Sequence, residues 1–277
     1  MKPPRFDYVR ADDRAAAIEL LALHGEDARI LAGGQSLMAV LNMRLAQPQL
    51  LIDISRSAGL ATTAVEKSFL AIGAAATQGS IEQRPRLAYE VPLLAQALPH
   101  ISHFQIRNRG TVCGSLAHAD PSAELSLVLL ALEGYVLLAN SKRQRRVAAQ
   151  EFFTGMLTTT RAPDELLAAA HYPLAEPGAG YAFAEFSLRH GDYAACAVAV
   201  VARKNGLRIA VGGVADRPVA RDLPPLDGAA LDDALNEFAW ALDARDDSAV
   251  SALARRALVR SLGRRAVVEA QANARVA

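Results

Sequence analysis

The sequence predicts an α+β protein, and three observations carry that reading. Two short apolar runs, residues 28–32 and 49–54, flank a helix-like segment at 36–45, the strand–helix–strand order of an α/β unit. The last third holds three strand-like runs, at 181–188, 195–202 and 207–214, with Asn205-Gly206 as a hairpin signal before the third. Two helical patterns then close the chain, so a small antiparallel sheet with helices is expected after the α/β part.

The remaining elements follow in chain order. Residues 14–24 form an amphipathic helix, with Ile18, Leu21 and Ala22 on one face and Gly25 as its stop. Residues 69–74 read as a strand, and Thr77 is placed to cap the helix after it. Residues 92–98 are apolar and read as helix. Asp120-Pro121 has the form of an N-cap with Pro at the first helical position, for a helix running to Leu132 before Gly134. Residues 134–139 are a strand, and "SKRQRR" after them is an exposed basic turn. "HYPLAEPGAG", from His171 onward, is rich in Pro and Gly and marks a boundary near residue 172. In the first closing helix Leu231, Leu235, Phe238 and Leu242 share a face. In the second, around 250–262, Leu253, Ala257 and Leu258 are expected inward, with Arg255, Arg256 and Arg260 outward. Residues 271–277 are expected to fray.

Composition excludes several classes of function. The 277 residues are 52% hydrophobic and 21% charged, enough for a core in one large or two ordinary domains. A net charge of +1 lacks the basic excess of a protein that binds nucleic acid or an anionic membrane. The opening "MKPPRFDYVR" leads into no apolar signal stretch, and no run approaches the roughly 18 apolar residues of a membrane span. A cytoplasmic protein is therefore expected. Cys113 and Cys196 are the only cysteines, too few for a disulfide framework. Nor can they supply the thiolates of an iron–sulfur cluster, so any such cluster would sit on a partner chain. His100, His103 and His118 lack the Cys or carboxylate that would complete a metal set, and no metal ligand is assigned. With no G-x-S-x-G and no positioned acid–base pair, no catalytic residue is assigned either.

Two glycine-bearing segments carry the chemistry. Ala32-Gly33-Gly34-Gln35-Ser36 joins a strand to a helix. It is not a Walker A loop, because no Gly-Lys-Ser/Thr follows, and no third glycine completes a dinucleotide fingerprint. It reads either as a tight turn with Ser36 as N-cap or as a concave N–H cradle for an anion at a helix start. Thr111-Val112-Cys113-Gly114-Ser115 offers two hydroxyls and a glycine, with Asp120 beyond it as cap or ligand contact. One such segment suits a phosphate, and two suit the diphosphate of a dinucleotate such as FAD. Arg189-His190-Gly191-Asp192-Tyr193 makes a turn before a strand, with Tyr193 read locally as core or as a ring that stacks on a planar group.

Taken together, "AGGQSLMAVLNMRLAQPQLLIDI", "IRNRGTVCGSLAHADPSAEL" and "RHGDYA" resemble the FAD-binding medium subunit of the molybdenum hydroxylases, the group of carbon monoxide dehydrogenase flavoproteins and the xanthine dehydrogenase flavin domain. The resemblance spans essentially the whole chain in the same motif order. It implies a vanillyl-alcohol-oxidase or PCMH-type FAD-binding domain at 1–175, with two α/β subdomains at about 1–56 and 57–175, then a small α+β C-terminal domain at 176–277. It implies that Ala32, Gly33, Gly34, Gln35, Ser36 and Leu37, with Thr111, Cys113, Gly114 and Ser115, hold the FAD diphosphate. Asp120 would lie near the ribityl region and Tyr193 near the isoalloxazine. The FAD would be held without a covalent link.

The implied partners are a small subunit with two [2Fe–2S] clusters and a large molybdopterin subunit, in a dimer of heterotrimers. Electrons would pass from the clusters through FAD to an acceptor such as NAD, a quinone or oxygen. Two departures from the family pattern stand out. Cys113 replaces a glycine of Thr-x-Gly-Gly-Ser, so its side chain must point away from the diphosphate or the loop must shift. Glu185 stands where some relatives carry a lysine. The alternatives are a stand-alone FAD oxidoreductase of the same fold and a flavin-free assembly subunit.

Overall fold

The computed structural model describes residues 2–274. Three larger sheets organise them. The first is all parallel: β1 (Asp7–Arg10), β2 (Ala28–Leu31) and β3 (Leu50–Asp53), in the order β1-β3-β2. Parallel pairing needs crossovers, supplied by α1 (Arg14–His24) and the short α2 (Leu37–Asn42). Asp13 caps α1, accepting from the Ala16 N–H at 2.9 Å. Ala17 and Leu21 of α1 are buried against Leu50, Ile52 and Ile54.

The second sheet is antiparallel and draws on distant parts of the chain. Its strands are β4 (Thr63–Glu66), β5 (Phe69–Gly73), β6 (Tyr135–Ala139) and β7 (Gln144–Ala148). After a two-stranded ladder of β8 (Phe153–Gly155) and β9 (Thr158–Thr159), β10 (Leu166–Pro173) enters its centre, giving the order β4-β5-β10-β6-β7. Six short helices lie between β5 and β6: α3 (Gln78–Glu82), α4 (Leu87–Glu90), α5 (Pro92–Ala97), α6 (Phe104–Arg107), α7 (Val112–His118) and α8 (Glu124–Ala131). α9 (Ala149–Phe152) follows β7. Thr77 caps α3 as the sequence predicts, accepting from the Ser80 N–H at 3.2 Å.

The third sheet is a meander of β11 (Gly180–Phe186), β12 (Cys196–Arg203), β13 (Gly206–Gly212) and β14 (Val219–Leu223). Asn205 lies in the β12–β13 turn, where Arg203 pairs with Gly206. β12 is buried on both faces, and its period of two sorts its residues. Ala197, Ala199 and Val201 join the core around α8, while Cys196, Val198 and Val200 join the core under α10 (Gly228–Ala241) and α11 (Ala252–Ala274). Every residue of α8 is buried, so this helix serves both the second and third sheets.

Several expectations are corrected. The single helix expected from Asp120 to Leu132 starts later: α8 begins at Glu124, and Asp120 caps no helix but accepts from the Ser122 N–H in a turn at 2.9 Å. The residues expected as a loop at 111–115 are instead the first turn of α7. Part of the expected basic turn, from Gln144, is strand β7, and His171 to Pro173 end the central strand β10. α11 continues through Gln271 to Ala274, where the Gln271 and Asn273 amides donate to the carbonyls of Leu226 and Tyr181. The rest of the expected frayed tail, residues 275–277, lies outside the described residues.

The face of α11 is also misread: Leu253 and Ala257, expected inward, are exposed, and Arg255, expected outward, is buried. Leu253 is 63% exposed, whereas Arg255 is 5% exposed among Val259, Leu262, Ala266 and Val267. The Arg255 guanidinium donates to the carbonyls of Ala195 and Gly213, each at 2.5 Å, and pairs with Asp247. It ties α11 to the strand ends of β12 and β13. Arg255→Ala strands two buried carbonyls and should cost about 3 kcal/mol, while Leu253→Ala should stay within about 0.5 kcal/mol. Urea unfolding of the two variants checks the order.

Candidate functional site

The site begins where the first sheet meets the second. β2 ends at Leu31, and the turn after it is pressed backbone to backbone against the segment leading into α7. A Cβ on Gly33 would overlap the Arg109 carbonyl oxygen and stand 2.7 Å from the Gly110 Cα. Gly34 has φ +74°, a left-handed conformation that L side chains adopt only at a cost. The two glycines thus answer different demands, close approach for one and conformation for the other.

α2 starts without a side-chain cap. Ser36 sits in the right-handed helical region and makes no capping bond, against the simple N-cap expectation. Among the described residues the backbone N–H groups of Gly33, Gly34, Gln35, Ser36 and Leu37 find no acceptor. Five successive unengaged donors at a helix start form a positive concavity that an anion satisfies.

The facing wall is the N-terminus of α7. Thr111 Oγ1 accepts from the Gly114 N–H at 3.0 Å, and a Cβ on Gly114 would fall 2.6 Å from that hydroxyl oxygen. Val112 N–H donates to the Ala76 carbonyl at 3.1 Å and Gln78 N–H to the Gly110 carbonyl at 2.8 Å, which pins this turn to α3. The Cys113 side chain turns away. Its thiol donates to the Ile72 carbonyl at 3.4 Å, and burial pushes it up to about 12.

Between the walls lies a cleft of about 1060 Å³. Ala32, Gly33, Gly34, Gln35, Ser36, Leu37, Thr111, Cys113, Gly114, Ser115, Asp120 and Tyr193 all line it. Tyr193 is 65% exposed and lines the cleft, so of its two local readings the core one gives way to a ring at the cleft wall. Gly191 before it, at φ +84°, brings this turn close to Ser102 and His103. Partial desolvation of its hydroxyl, then the nearby Asp120 and Glu124, push the Tyr193 phenol up.

Other lining residues were missed in the sequence. Arg161 lies in the cleft beside Arg29 and Glu165; burial and then Arg29 push its guanidinium down, and it donates to the carbonyls of Ala162 and Glu165. Nothing local distinguishes it from a surface arginine. Glu124 also lines the cleft at 7% exposure, pushed up to about 7 by burial and by Asp120. Glu185 is not a lining residue; on β11, burial and then Glu124 push its carboxyl up to about 8.

A cleft at the top of the size range for cofactor sites, with a row of unengaged N–H groups at one helix start facing a second helix start, is the mark of a protein that binds an extended anionic cofactor. Residues 4–175 match the family model described as the FAD binding domain in molybdopterin dehydrogenase. The nicotine 6-hydroxylase medium subunit of Paenarthrobacter nicotinovorans is 39% identical over 98% of this chain and 99% of its own. The 6-hydroxypseudooxynicotine dehydrogenase complex subunit alpha of the same organism is 45% identical over 70% of this chain and 66% of its own. The structure of carbon monoxide dehydrogenase from Hydrogenophaga pseudoflava superposes with a TM-score of 0.93 at 32% identity, covering 99% of both chains. The chain belongs to the family of FAD-binding medium subunits of the molybdenum hydroxylases. It is an FAD-dependent oxidoreductase subunit. Among the described residues no helix is long and apolar enough to cross a membrane.

The geometry ranks the glycines. Gly33→Ala must push two backbone segments apart and should cost more than about 2 kcal/mol, whereas Gly34→Ala bears mainly the left-handed penalty of about 1–2 kcal/mol. Chemical denaturation of both variants measures the difference.

Proposed function

We propose that this chain is the electron-transfer flavoprotein of a three-subunit molybdenum hydroxylase, with FAD in the cleft between the 32–37 turn and the N-terminus of α7. The observation that carries the placement is the row of five unengaged N–H groups at residues 33–37, facing a second helix start across the cleft. Gly33, Gly34, Gln35, Ser36 and Leu37 would take one side of the diphosphate, with Ala32 beside them. Thr111, Cys113, Gly114 and Ser115 would take the other side. Asp120 lies toward the ribityl chain and Tyr193 covers the ring. Bound FAD accepts electrons one at a time and releases them singly or in pairs.

The chain's own part is to bind, orient and shield. The helix starts neutralise phosphate charge without a dedicated lysine, and Gly34 holds the turn open by its left-handed backbone. Both cysteines are buried with thiols pushed up to about 12, which supports a non-covalent cofactor. The electrons would come from [2Fe–2S] clusters on a small subunit, with molybdopterin on a large one, and leave to NAD, a quinone or oxygen. Relatives named as a medium subunit and as one subunit of a dehydrogenase complex support partner chains of this kind. The assembly would be a cytoplasmic dimer of heterotrimers, with residues 1–175 forming the FAD-binding domain and 176–277 the C-terminal one.

Acid or heat should release yellow FAD from the purified protein, and flavin left on the precipitated chain would refute the non-covalent site. Gly34→Val should lower FAD affinity at least about tenfold, since a β-branched residue resists positive φ; unchanged affinity would remove this turn from the site. Tyr193→Ala should keep FAD but shift its absorption band and change the rate at which the dithionite-reduced protein is reoxidised. A wild-type spectrum and rate would place the ring elsewhere.

A further inference from the structure

Gln78 is the first residue of α3, and its main chain and side chain do separate work. The backbone N–H donates to the Gly110 carbonyl at 2.8 Å and ties α3 to the turn before α7. The side-chain amide adds nothing to that tie. The residue is 5% exposed, its Oε1 is buried without a partner, and its Nε2 makes no hydrogen bond among the described residues. A desolvated amide with neither end paired is a cost to the fold, and this one borders the cleft.

A run of contacts places the amide at the Tyr193 end of that cleft. A Cβ on Gly110 would stand 3.3 Å from Gln78 Oε1 and 3.1 Å from the Ile106 carbonyl oxygen. Ile106 lies on α6, which Arg107 clamps to α3: its guanidinium meets Glu82 at 2.8 and 2.9 Å and the carbonyls of Ile101 and Ser102 at 3.0 and 3.3 Å. Gly191 packs on Ser102, where an added Cβ would come within 3.2 Å of the Ser102 backbone. Tyr193 follows two residues on. Ile101, Ser102, Ile106 and Gly110 line the cleft together with Gln78, so the amide belongs to the wall on which the Tyr193 turn is set.

A primary amide offers N–H donors at one end and a carbonyl acceptor at the other. Oε1 is sealed in the wall, which leaves the Nε2 donor for the cleft. An isoalloxazine carries carbonyl oxygens on its pyrimidine end, and reduction of the ring adds electron density there. A donor held at that end bonds the reduced, more negative ring more strongly than the oxidised one.

We propose that Gln78 donates a hydrogen bond from Nε2 to a pyrimidine carbonyl oxygen of the bound flavin and thereby favours the reduced ring. The inference rests on the placement of FAD proposed above, with the ring beside Tyr193. The backbone of Gln78 holds the wall, and its side chain serves the cofactor.

The test takes the full chain freed of flavin, titrates it with FAD and compares wild type, Gln78→Leu and Gln78→Glu by flavin fluorescence, absorption and redox titration. Without flavin, Gln78→Leu should resist urea as well as wild type or better, because an unpaired amide gives way to an apolar group of similar size. It should bind FAD about tenfold more weakly, the worth of one hydrogen bond. Its two-electron potential should fall by about 30 mV, a tenfold loss of preference for the reduced ring. Gln78→Glu should bind FAD nearly as wild type does while its carboxyl is protonated and donates, and ever more weakly as pH rises and the carboxylate only accepts. A flavin-free Gln78→Leu chain less stable than wild type assigns the side chain to the fold and overturns the inference. Wild-type affinity and potential in Gln78→Leu overturn it too, as does a loss of affinity with potential and spectrum unchanged, which takes the donor away from the ring. Those outcomes leave FAD in the cleft, whereas a wild-type chain that binds no FAD overturns the cofactor placement and the inference together.

Discussion

The backbone contact at Gly33 is the constraint on which the cleft depends. There the turn leaving β2 touches the Arg109 carbonyl and the Gly110 Cα, with no room for a side chain between them. That contact sets the first sheet against the second and fixes the spacing of the two helix starts. The segment at 109–112 is itself held by bonds to Gln78 and Ala76, so the approach is between two anchored backbones. With both turns fixed before a ligand arrives, donors are oriented without further ordering of the chain.

α8 imposes a second constraint. It is buried on all sides because the second and third sheets both pack against it, an arrangement that favours a uniformly apolar sequence. Glu124 interrupts that rule at the first position, where the helix end opens onto the cleft. A carboxyl kept at such a place is expensive for the fold unless it stays protonated or meets a ligand. A strongly desolvated carboxyl thus lies beside the cleft, as perturbed groups often do at functional sites.

Much of the fold was legible from local pattern. α1 and β2 were placed almost to the residue, and the buried face of α10 was read correctly at Leu231, Leu235, Phe238 and Leu242. Errors arose where local pattern carries little information. In α11 small alanines occupy several faces, so apolar periodicity could not choose between burying Leu253 and burying Arg255. Edge strands β4, β7 and β14 are half polar and gave no apolar run. Asp120-Pro121 has the chemistry of a cap, yet the turn it makes ends in an extended Ala123 that starts the helix later.

For the site, the sequence by itself determined which residue types were present: glycines at 33, 34 and 114, the Thr111 hydroxyl, and a Gly-Asp-Tyr turn. Their likeness, in the same order, to the motifs of FAD-binding medium subunits is what marked them as one set, since the local pattern of each segment left its role open. What only the tertiary structure decided was the reason for each glycine, the inward Cys113 thiol, the exposure of Tyr193 and the burial of Glu124 beside the cleft. Those depend on contacts between residues tens of positions apart. Burial and missing counter-charges are properties of the packed surroundings, and no local pattern encodes them.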